Sequence, residues 1–302
     1  MKKVLLSLVL SGAAWAGAGA APVKAIVVLG SGVNSSQQTV DLRGYSNGQV
    51  WYGPSDVSRF GFHPRDITRI TFDTREDIDE KLVEELRVKR SYNELVAHLE
   101  KGLAPFREYD FLPSNLSSYQ YMLAELYYKM GQYEKSLVYS RMLANPDRDP
   151  VWPARCDEKT ERGAYAYQGL ALMELKRTEE AEALFALRGW TKDMSDDALA
   201  EDLYIAAKFL TMKEDYAAAI ELAAKVVVFS SDDPQWLRPA EVLCAQLYAN
   251  LGLFDSSEEV IREILLMYPN TDEADEADRL MAEMDALRDA WNIMMEEKES
   301  KN

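Results

Sequence analysis

Tyr119–Leu143, YQYMLAELYYKMGQYEKSLVYSRML, decides the architecture. Leu123, Ala124 and Tyr127 fall on one face at helical period, so the first half predicts an amphipathic helix. Lys129-Met130-Gly131-Gln132-Tyr133 interrupts the pattern, and Ser136, Leu137 and Leu143 resume it on a second helix. Gly131 suits a tight helix–helix turn, since it adopts positive φ without a Cβ clash. Tyr133 supplies a wedge between the helices, and Ser136 is small enough to let two backbones cross closely. The stretch therefore predicts an antiparallel helix pair.

The same register recurs outward in both directions. Upstream, Leu82 and Leu86 lead into Arg90-Ser91-Tyr92, then Leu95 and Leu99. Downstream, Gly169 and Leu172 precede Lys176-Arg177-Thr178, Ala181 and Phe185. Ala206, Ala207 and Leu210 precede Glu214-Asp215-Tyr216, Ala219 and Ala223. Ala245 and Tyr248 precede Gly252-Leu253-Phe254, Ser257, Ile261 and Ile264. The turn positions Tyr92, Tyr133, Thr178, Tyr216 and Phe254 are spaced by roughly forty residues, and such self-similarity is the signature of a repeat array.

A helix ending in a Gly-polar-Tyr turn, followed by a helix with a small crossing residue, resembles the tetratricopeptide repeat. The resemblance implies a right-handed α-solenoid of about five helix pairs. The family spacing is about 34 residues, so the inter-repeat loops must absorb the excess here. Pro113-Ser114-Asn115, Asn145 to Pro153 and Asp232-Asp233-Pro234 are the places expected to do so. The sequence departs from the family at Arg90, Lys176 and Glu214, which stand where the turn glycine belongs, and at Thr178, which replaces the aromatic. Thr271-Asp272-Glu273 reads as an N-cap with an acidic first turn. Leu280, Met284, Leu287 and Trp291 then mark an amphipathic capping helix, the element an open solenoid needs at its end.

The region before the repeats has a different period. Ala25 to Leu29, Thr39 to Arg43, Val50 to Tyr52, Val57 to Phe62 and Ile67 to Phe72 read as five short strands. Asn47-Gly48 is a hairpin signal. Closure of so small a sheet would remove its exposed edges. With the turn His63 to Asp66 before the last strand, this region looks like the SH3-like or Sm-like barrels that precede repeats in some bacterial exported proteins. Lys2 and Lys3, the apolar run Val4 to Leu10 and the Ala-x-Ala pattern at Ala16, Ala18 and Ala20 are laid out as a secretory signal peptide. The expected division is a signal peptide at 1–20, a small β-domain at 21–74, helical repeats at 75–270, and a capping helix with tail at 271–302. The chain is thereby expected to be exported, either periplasmic or secreted.

A formal net charge of −17 opposes binding to a phosphate backbone, and no basic stripe reverses it. No stretch after the leader approaches the ~20 apolar residues of a membrane span. The carboxylate runs Asp193 to Asp202 and Asp272 to Asp278 lack the central glycine of a calcium loop and fit helix starts. Two cysteines, Cys156 and Cys244, and two histidines, His63 and His98, offer no zinc-ligand spacing. Cys244 lies mid-helix on an apolar face and is expected to be buried and unpaired. His98 sits in ordinary helix with no nucleophile beside it. Gly30-Ser31-Gly32 lacks the Lys and helix of a phosphate loop. No catalytic residue, metal or cofactor is expected.

The resemblance also implies a binding surface. In the family the first helix of each pair lines a concave groove. Carried over unit by unit, this places Tyr121, Glu125, Tyr128 and Lys129 from the second unit in that groove. Met173 follows from the third unit, Tyr204 and Lys208 from the fourth, and Gln246 and Asn250 from the fifth. The family's two-carboxylate clamp is not reproduced. The alternative is that several of these residues pack against the next repeat or lie beneath the C-terminal helix, and the sequence leaves both open. Endings such as Leu265 to Thr271 look like those of envelope-assembly and division-associated repeat proteins. The expected function is therefore a non-enzymatic scaffold for a protein or peptide partner in the cell envelope. A self-assembling structural component is the main alternative. An enzyme or carbohydrate-binding protein working through Trp51, Tyr52 and Phe60 of the β-domain is the other.

Overall fold

A computed structural model of the chain describes residues 22–30, 35–145, 154–230 and 232–300. The expected signal peptide, and most of the 145–153 connection, lie outside the described residues.

Five strands come first: β1 (Val23–Leu29), β2 (Ser36–Ser46), β3 (Gln49–Tyr52), β4 (Phe60–Phe62) and β5 (Ile67–Phe72). They form one antiparallel sheet in the order β4-β3-β2-β1-β5. Asn47 and Gly48 turn β2 into β3 with φ of 53° and 75°, the doubly left-handed geometry that matches strand twist. The fourth strand is shorter than Val57 to Phe62. Arg43 accounts for this by holding the preceding loop off the ladder: its guanidinium donates to the Gly53 and Pro54 carbonyls at 2.6 and 2.8 Å and pairs with Asp56 at 3.2 Å. A three-residue 3₁₀ turn, Pro64–Asp66, leads into β5.

The outer edge of β5 is covered by the chain itself. Ile70 N–H donates to the Pro113 carbonyl at 2.7 Å, and Asn115 N–H returns to the Ile70 carbonyl at 3.2 Å. The Asn115 carboxamide accepts from Phe72 N–H and donates to its carbonyl. Residues expected merely to lengthen the loop between units thus satisfy an exposed strand edge. Phe72 also packs on Phe106 and Tyr109, with ring centroids 5.1 and 5.6 Å apart. One apolar core runs from Val27 and Leu42 through Ile70 and Phe72 to Leu95, Leu123 and Tyr127. The change from strand to helix near residue 74 is therefore crossed by a continuous core.

The helices are α1 (Glu80–Val88), α2 (Tyr92–Leu103), α3 (Ser117–Lys129), α4 (Tyr133–Leu143), α5 (Glu158–Glu174) and α6 (Thr178–Arg188). They continue with α7 (Ala200–Met212), α8 (Tyr216–Phe229), α9 (Pro234–Asn250), α10 (Phe254–Met267) and α11 (Asp272–Ser300). They form the tetratricopeptide-like array: five antiparallel pairs, then a last helix. All five pair turns are the same object. Arg90, Gly131, Lys176, Glu214 and Gly252 have φ of 56°, 69°, 55°, 61° and 77°. In each, the next residue's N–H reaches back five positions: Ser91 to Leu86, Gln132 to Tyr127, Arg177 to Leu172, Asp215 to Leu210 and Leu253 to Tyr248. These are Schellman closures, which satisfy carbonyls a helix end would otherwise leave unpaired. Three are built on a non-glycine residue at a cost of about 1–2 kcal/mol each.

Four crossing residues, Ser136, Ala181, Ala219 and Ser257, are fully buried. The two serine hydroxyls donate to the Ala124 and Ala245 carbonyls at 2.7 Å, so neither carries an unmet polar group inside the pair. First helices also pack on first helices, α3 on α5, α5 on α7 and α7 on α9. Trp190, after α6, fills space beside that row: its ring is 5.0 Å from Phe185, and its indole N–H donates to Asp202 at 2.6 Å. Thr271 caps α11 by accepting from Ala274 N–H, and Ala277, Met284 and Trp291 seat the helix on α9 and α10. No described helix is long and apolar enough to cross a membrane.

Candidate functional site

The row of first helices gathers several of the expected groove residues onto one wall, and that wall is largely filled by its own side chains. Tyr167 on α5 is the hub. Its ring centroid is 5.7 Å from Tyr121, 5.8 Å from Tyr128 and 5.9 Å from Trp236. Tyr204 joins through Trp236 at 5.6 Å. Tyr204, Tyr167 and Trp236 are 8%, 5% and 4% exposed, while Tyr121 and Tyr128 are half-buried. Gly163 makes the cluster possible, because a Cβ there would lie 2.4 Å from the Tyr121 hydroxyl. Burial drives the phenol pKa of Tyr121, Tyr128, Tyr167 and Tyr204 upward, so all four are neutral donors at physiological pH.

The other expected groove residues divide. Met173 is in the core rather than on an accessible wall, because packing between α5 and its neighbours takes the face that the carried-over register assigned to a partner. Glu125 and Lys129 pair with each other at 3.3 Å. Gln246 donates to Glu276 of α11 at 2.8 Å, which ties it beneath the C-terminal helix. Lys208 and Asn250 are half-buried on α7 and α9.

Beside the aromatic cluster lies a cleft of about 640 Å³. The N-terminal ends of α5, α7 and α9 form its walls, with Lys159 and Arg162 facing Asp197, Glu201, Asp232 and Asp233. Glu201 is 7% exposed and is neutralised by Arg162 at 3.0 Å. A smaller recess of about 90 Å³ continues inward past Gly163 and Gln235 to Tyr121 and Trp236. Gln235 closes its floor by donating to the Tyr121 hydroxyl at 2.6 Å. The accessible part of the inner wall is thus its polar end, and the aromatic part lies behind it.

The far end of the same wall is closed by charge. Arg90, in the α1–α2 turn, hydrogen-bonds Asp272 at the start of α11, with Nε 2.9 Å from the carboxylate, and reaches Asp275 at 2.6 Å. The Tyr92 hydroxyl donates to Asp272, and Lys129 lies 3.4 Å from it. Burial by itself would raise the Asp272 pKa. The Tyr92 hydrogen bond, the Lys129 charge and the Arg90 contacts outweigh that and lower it. On Lys129, desolvation opposes the charge, and Glu125, Tyr92 and Asp272 outweigh it to raise the pKa. The first repeat is therefore bonded directly to the capping helix, 182 positions away.

Sequence reasoning missed Tyr167, Trp236, Gln235 and the partners of Asp272. Tyr167 lies six positions before Met173 on α5, the residue of that unit that the carried-over register put in the groove. Trp236 and Gln235 were within reach, since Asp233-Pro234 is an N-cap followed by proline at the first helical position. Asp233 indeed accepts from Gln235 N–H. The remaining singled-out groups serve the fold. His98 Nε2 accepts from Asp79 N–H at 3.1 Å, and His63 Nδ1 accepts from Arg65 N–H at 3.2 Å. Cys244 is a buried thiol, and the Cys156 thiol donates to the Leu143 carbonyl at 3.8 Å.

No family model matches the chain, and no curated protein matches it. Among solved structures it is similar to "MamA 41-end from Desulfovibrio magneticus RS-1" at 13% identity and a TM-score of 0.34. That likeness covers 64% of this chain and 94% of the other.

Proposed function

We propose that this chain is an exported, non-catalytic scaffold that holds a protein or peptide partner against the inner wall of its helix array. The observation that carries this is the cleft of about 640 Å³ at the ends of three successive first helices, leading to an aromatic cluster. Aromatic anchors behind a polar rim are the usual makeup of a binding hot spot, because rigid rings bury much area at small entropic cost. Both signs of charge line the cleft, which suits an extended polypeptide with its own mixed charges better than a polyanion. The sheet and α11 then serve as the two caps of the array. The strand order and the 3₁₀ turn before β5 support the SH3-like reading of that N-terminal cap.

The test pairs two charge reversals with one control. Lys159→Glu with Asp197→Lys should reduce partner capture from envelope extracts at least about ten-fold, as expected for lost complementarity at a rim. Glu221→Lys, on the exposed side of α8, should leave capture unchanged. Equal loss from both, or from neither, would refute the cleft as the site. Export is tested by fractionation and N-terminal sequencing: a mature chain beginning just after Ala20 is expected, and a cytosolic chain retaining Met1 would contradict it.

Self-assembly is the second reading, favoured by Val228, Phe229, Leu266 and Met267, exposed at the corresponding ends of α8 and α10. It predicts a mass that rises with concentration in light scattering, abolished by Phe229→Ser with Met267→Ser.

A further inference from the structure

We propose that the charged seam between the first repeat and α11 is a latch, which holds the array closed over its own aromatic wall and must release before a partner reaches that wall. Three observations carry this. First, no apolar cluster spans the seam among the described residues: Tyr92 packs on one core and α11 on another. Junctions that also carry an ion pair, such as Arg162 with Glu201, lie over a shared apolar core. Successive helices meet through buried apolar side chains, whereas Arg90, Tyr92 and Lys129 meet Asp272 and Asp275 through hydrogen bonds and ion pairs. Apolar junctions tolerate salt; partly exposed ion pairs weaken as salt screens them. The Arg90 and Asp272 side chains are 32% and 28% exposed, so solvent ions reach them.

Second, Arg90 stands at φ 56° in the turn where Gly131 and Gly252 stand in other repeats. Lys176 and Glu214 adopt the same left-handed φ in their turns, so what sets Arg90 apart is its side chain, which reaches Asp272 across 182 positions. Third, the seam covers something that would bind. Lys129, next to Tyr128 on α3, lies 3.4 Å from Asp272, and Gln246 on α9 donates to Glu276 of α11 at 2.8 Å, so α11 is tied to the wall beside the aromatic cluster. Burial, joined by the Glu276 and Glu273 charges, pushes the Tyr204 phenol pKa upward. Parting α11 from the α1–α2 turn uncovers that end of the cluster. Asn270, at φ 65° between α10 and α11, places a bend immediately before the latch residues. That release gates binding rests on the inner wall being the partner's site; the closure itself does not.

Nitroxide labels on the full-length mature chain test both parts. Glu84→Cys on α1 and Asp278→Cys on α11 carry the labels, in a background with Cys156→Ser and Cys244→Ala. Double electron–electron resonance then reads the distance between the two ends. At about 0.02 M salt the latched chain should give one short distribution, and about 0.5 M salt should add a longer one. Arg90→Gly removes the guanidinium while giving the turn the residue its φ favours, so misfolding does not confound the result. It should raise the long-distance population about ten-fold at low salt, with the thermal melt unchanged or raised. Partner capture by Arg90→Gly should rise in parallel. An unchanged distance distribution in Arg90→Gly and in high salt would overturn the latch. A lengthened distribution with capture unchanged would overturn the gating role while leaving the cleft as the binding site. Capture lost from the cleft variants with no change in Arg90→Gly would separate the two claims in the same way.

Discussion

Gly252→Ala compared with Gly131→Ala isolates how α11 is seated. Both glycines close a pair turn at similar positive φ, 77° and 69°. An alanine at either pays about 1–2 kcal/mol for the left-handed conformation, offset by about 0.4–1 kcal/mol from a less flexible unfolded chain. A Cβ at Gly131 meets nothing within 4 Å, so Gly131→Ala should destabilise by about 0.5–1 kcal/mol. A Cβ at Gly252 would lie 2.5 Å from Cε2 of Trp291, inside any tolerable contact. Trp291 must then move off Phe254, whose ring is 6.4 Å away in an edge arrangement. Losing that seat for a partly buried indole adds about 1–3 kcal/mol. Hydrogen exchange read by mass spectrometry should show α11 opening selectively in Gly252→Ala and no such change in Gly131→Ala. Urea unfolding supplies the two free energies. In a Trp291→Ala background the cost of Gly252→Ala should fall to that of Gly131→Ala, the signature of a direct pair. Equal costs for the two glycines in the native background, with α11 protected in both, would refute the reasoning.

Three further outcomes follow from the same geometry. Lys176→Gly and Glu214→Gly should each stabilise the chain by up to about 1 kcal/mol in urea unfolding, since both residues sit at positive φ. Ser136→Ala should cost less than about 1 kcal/mol because Ala181 and Ala219 occupy the same crossing, whereas Ser136→Leu should cost about 3 kcal/mol or more by forcing the pair apart. Asp110 accepts from Gln120 at 2.8 Å in a half-buried site whose desolvation raises its pKa to about 6. A carboxyl whose folded pKa is raised favours the folded state only while protonated, so this site's stabilisation falls as pH climbs from about 4 through 6. Asp110→Asn should therefore be the more stable protein at pH 7, by up to about 3 kcal/mol, with the advantage vanishing near pH 4.

The pair turns were legible in the sequence because each is a local device: a positive-φ position, an aromatic two residues on in all but the third (Thr178), and a small crossing residue after that in all but the first (Leu95). Even where Arg90, Lys176 and Glu214 replace glycine, the surrounding register carries the turn. The strands were legible for the same reason, except around Val57, where a long-range donor, Arg43, sets the loop. What the sequence did not disclose is how the wall is used. Whether Tyr204 faces a partner or Trp236 depends on how neighbouring first helices tilt, which no single-helix period encodes. The seam between Arg90 and Asp272 depends on the accumulated rotation of five repeats. Asp272 was recognisable as the start of a helix, but not as the partner of a turn at the opposite end of the chain.

The most direct test of the central claim, that partners bind the inner wall, is site-specific photo-crosslinking in cells. A benzophenone amino acid placed at Lys159, at Asp197 or at Glu221 is irradiated and the adducts are mapped by mass spectrometry. Adducts to one common partner from Lys159 and Asp197, and none from Glu221, are the predicted result; adducts to that partner from Glu221 alone would contradict it.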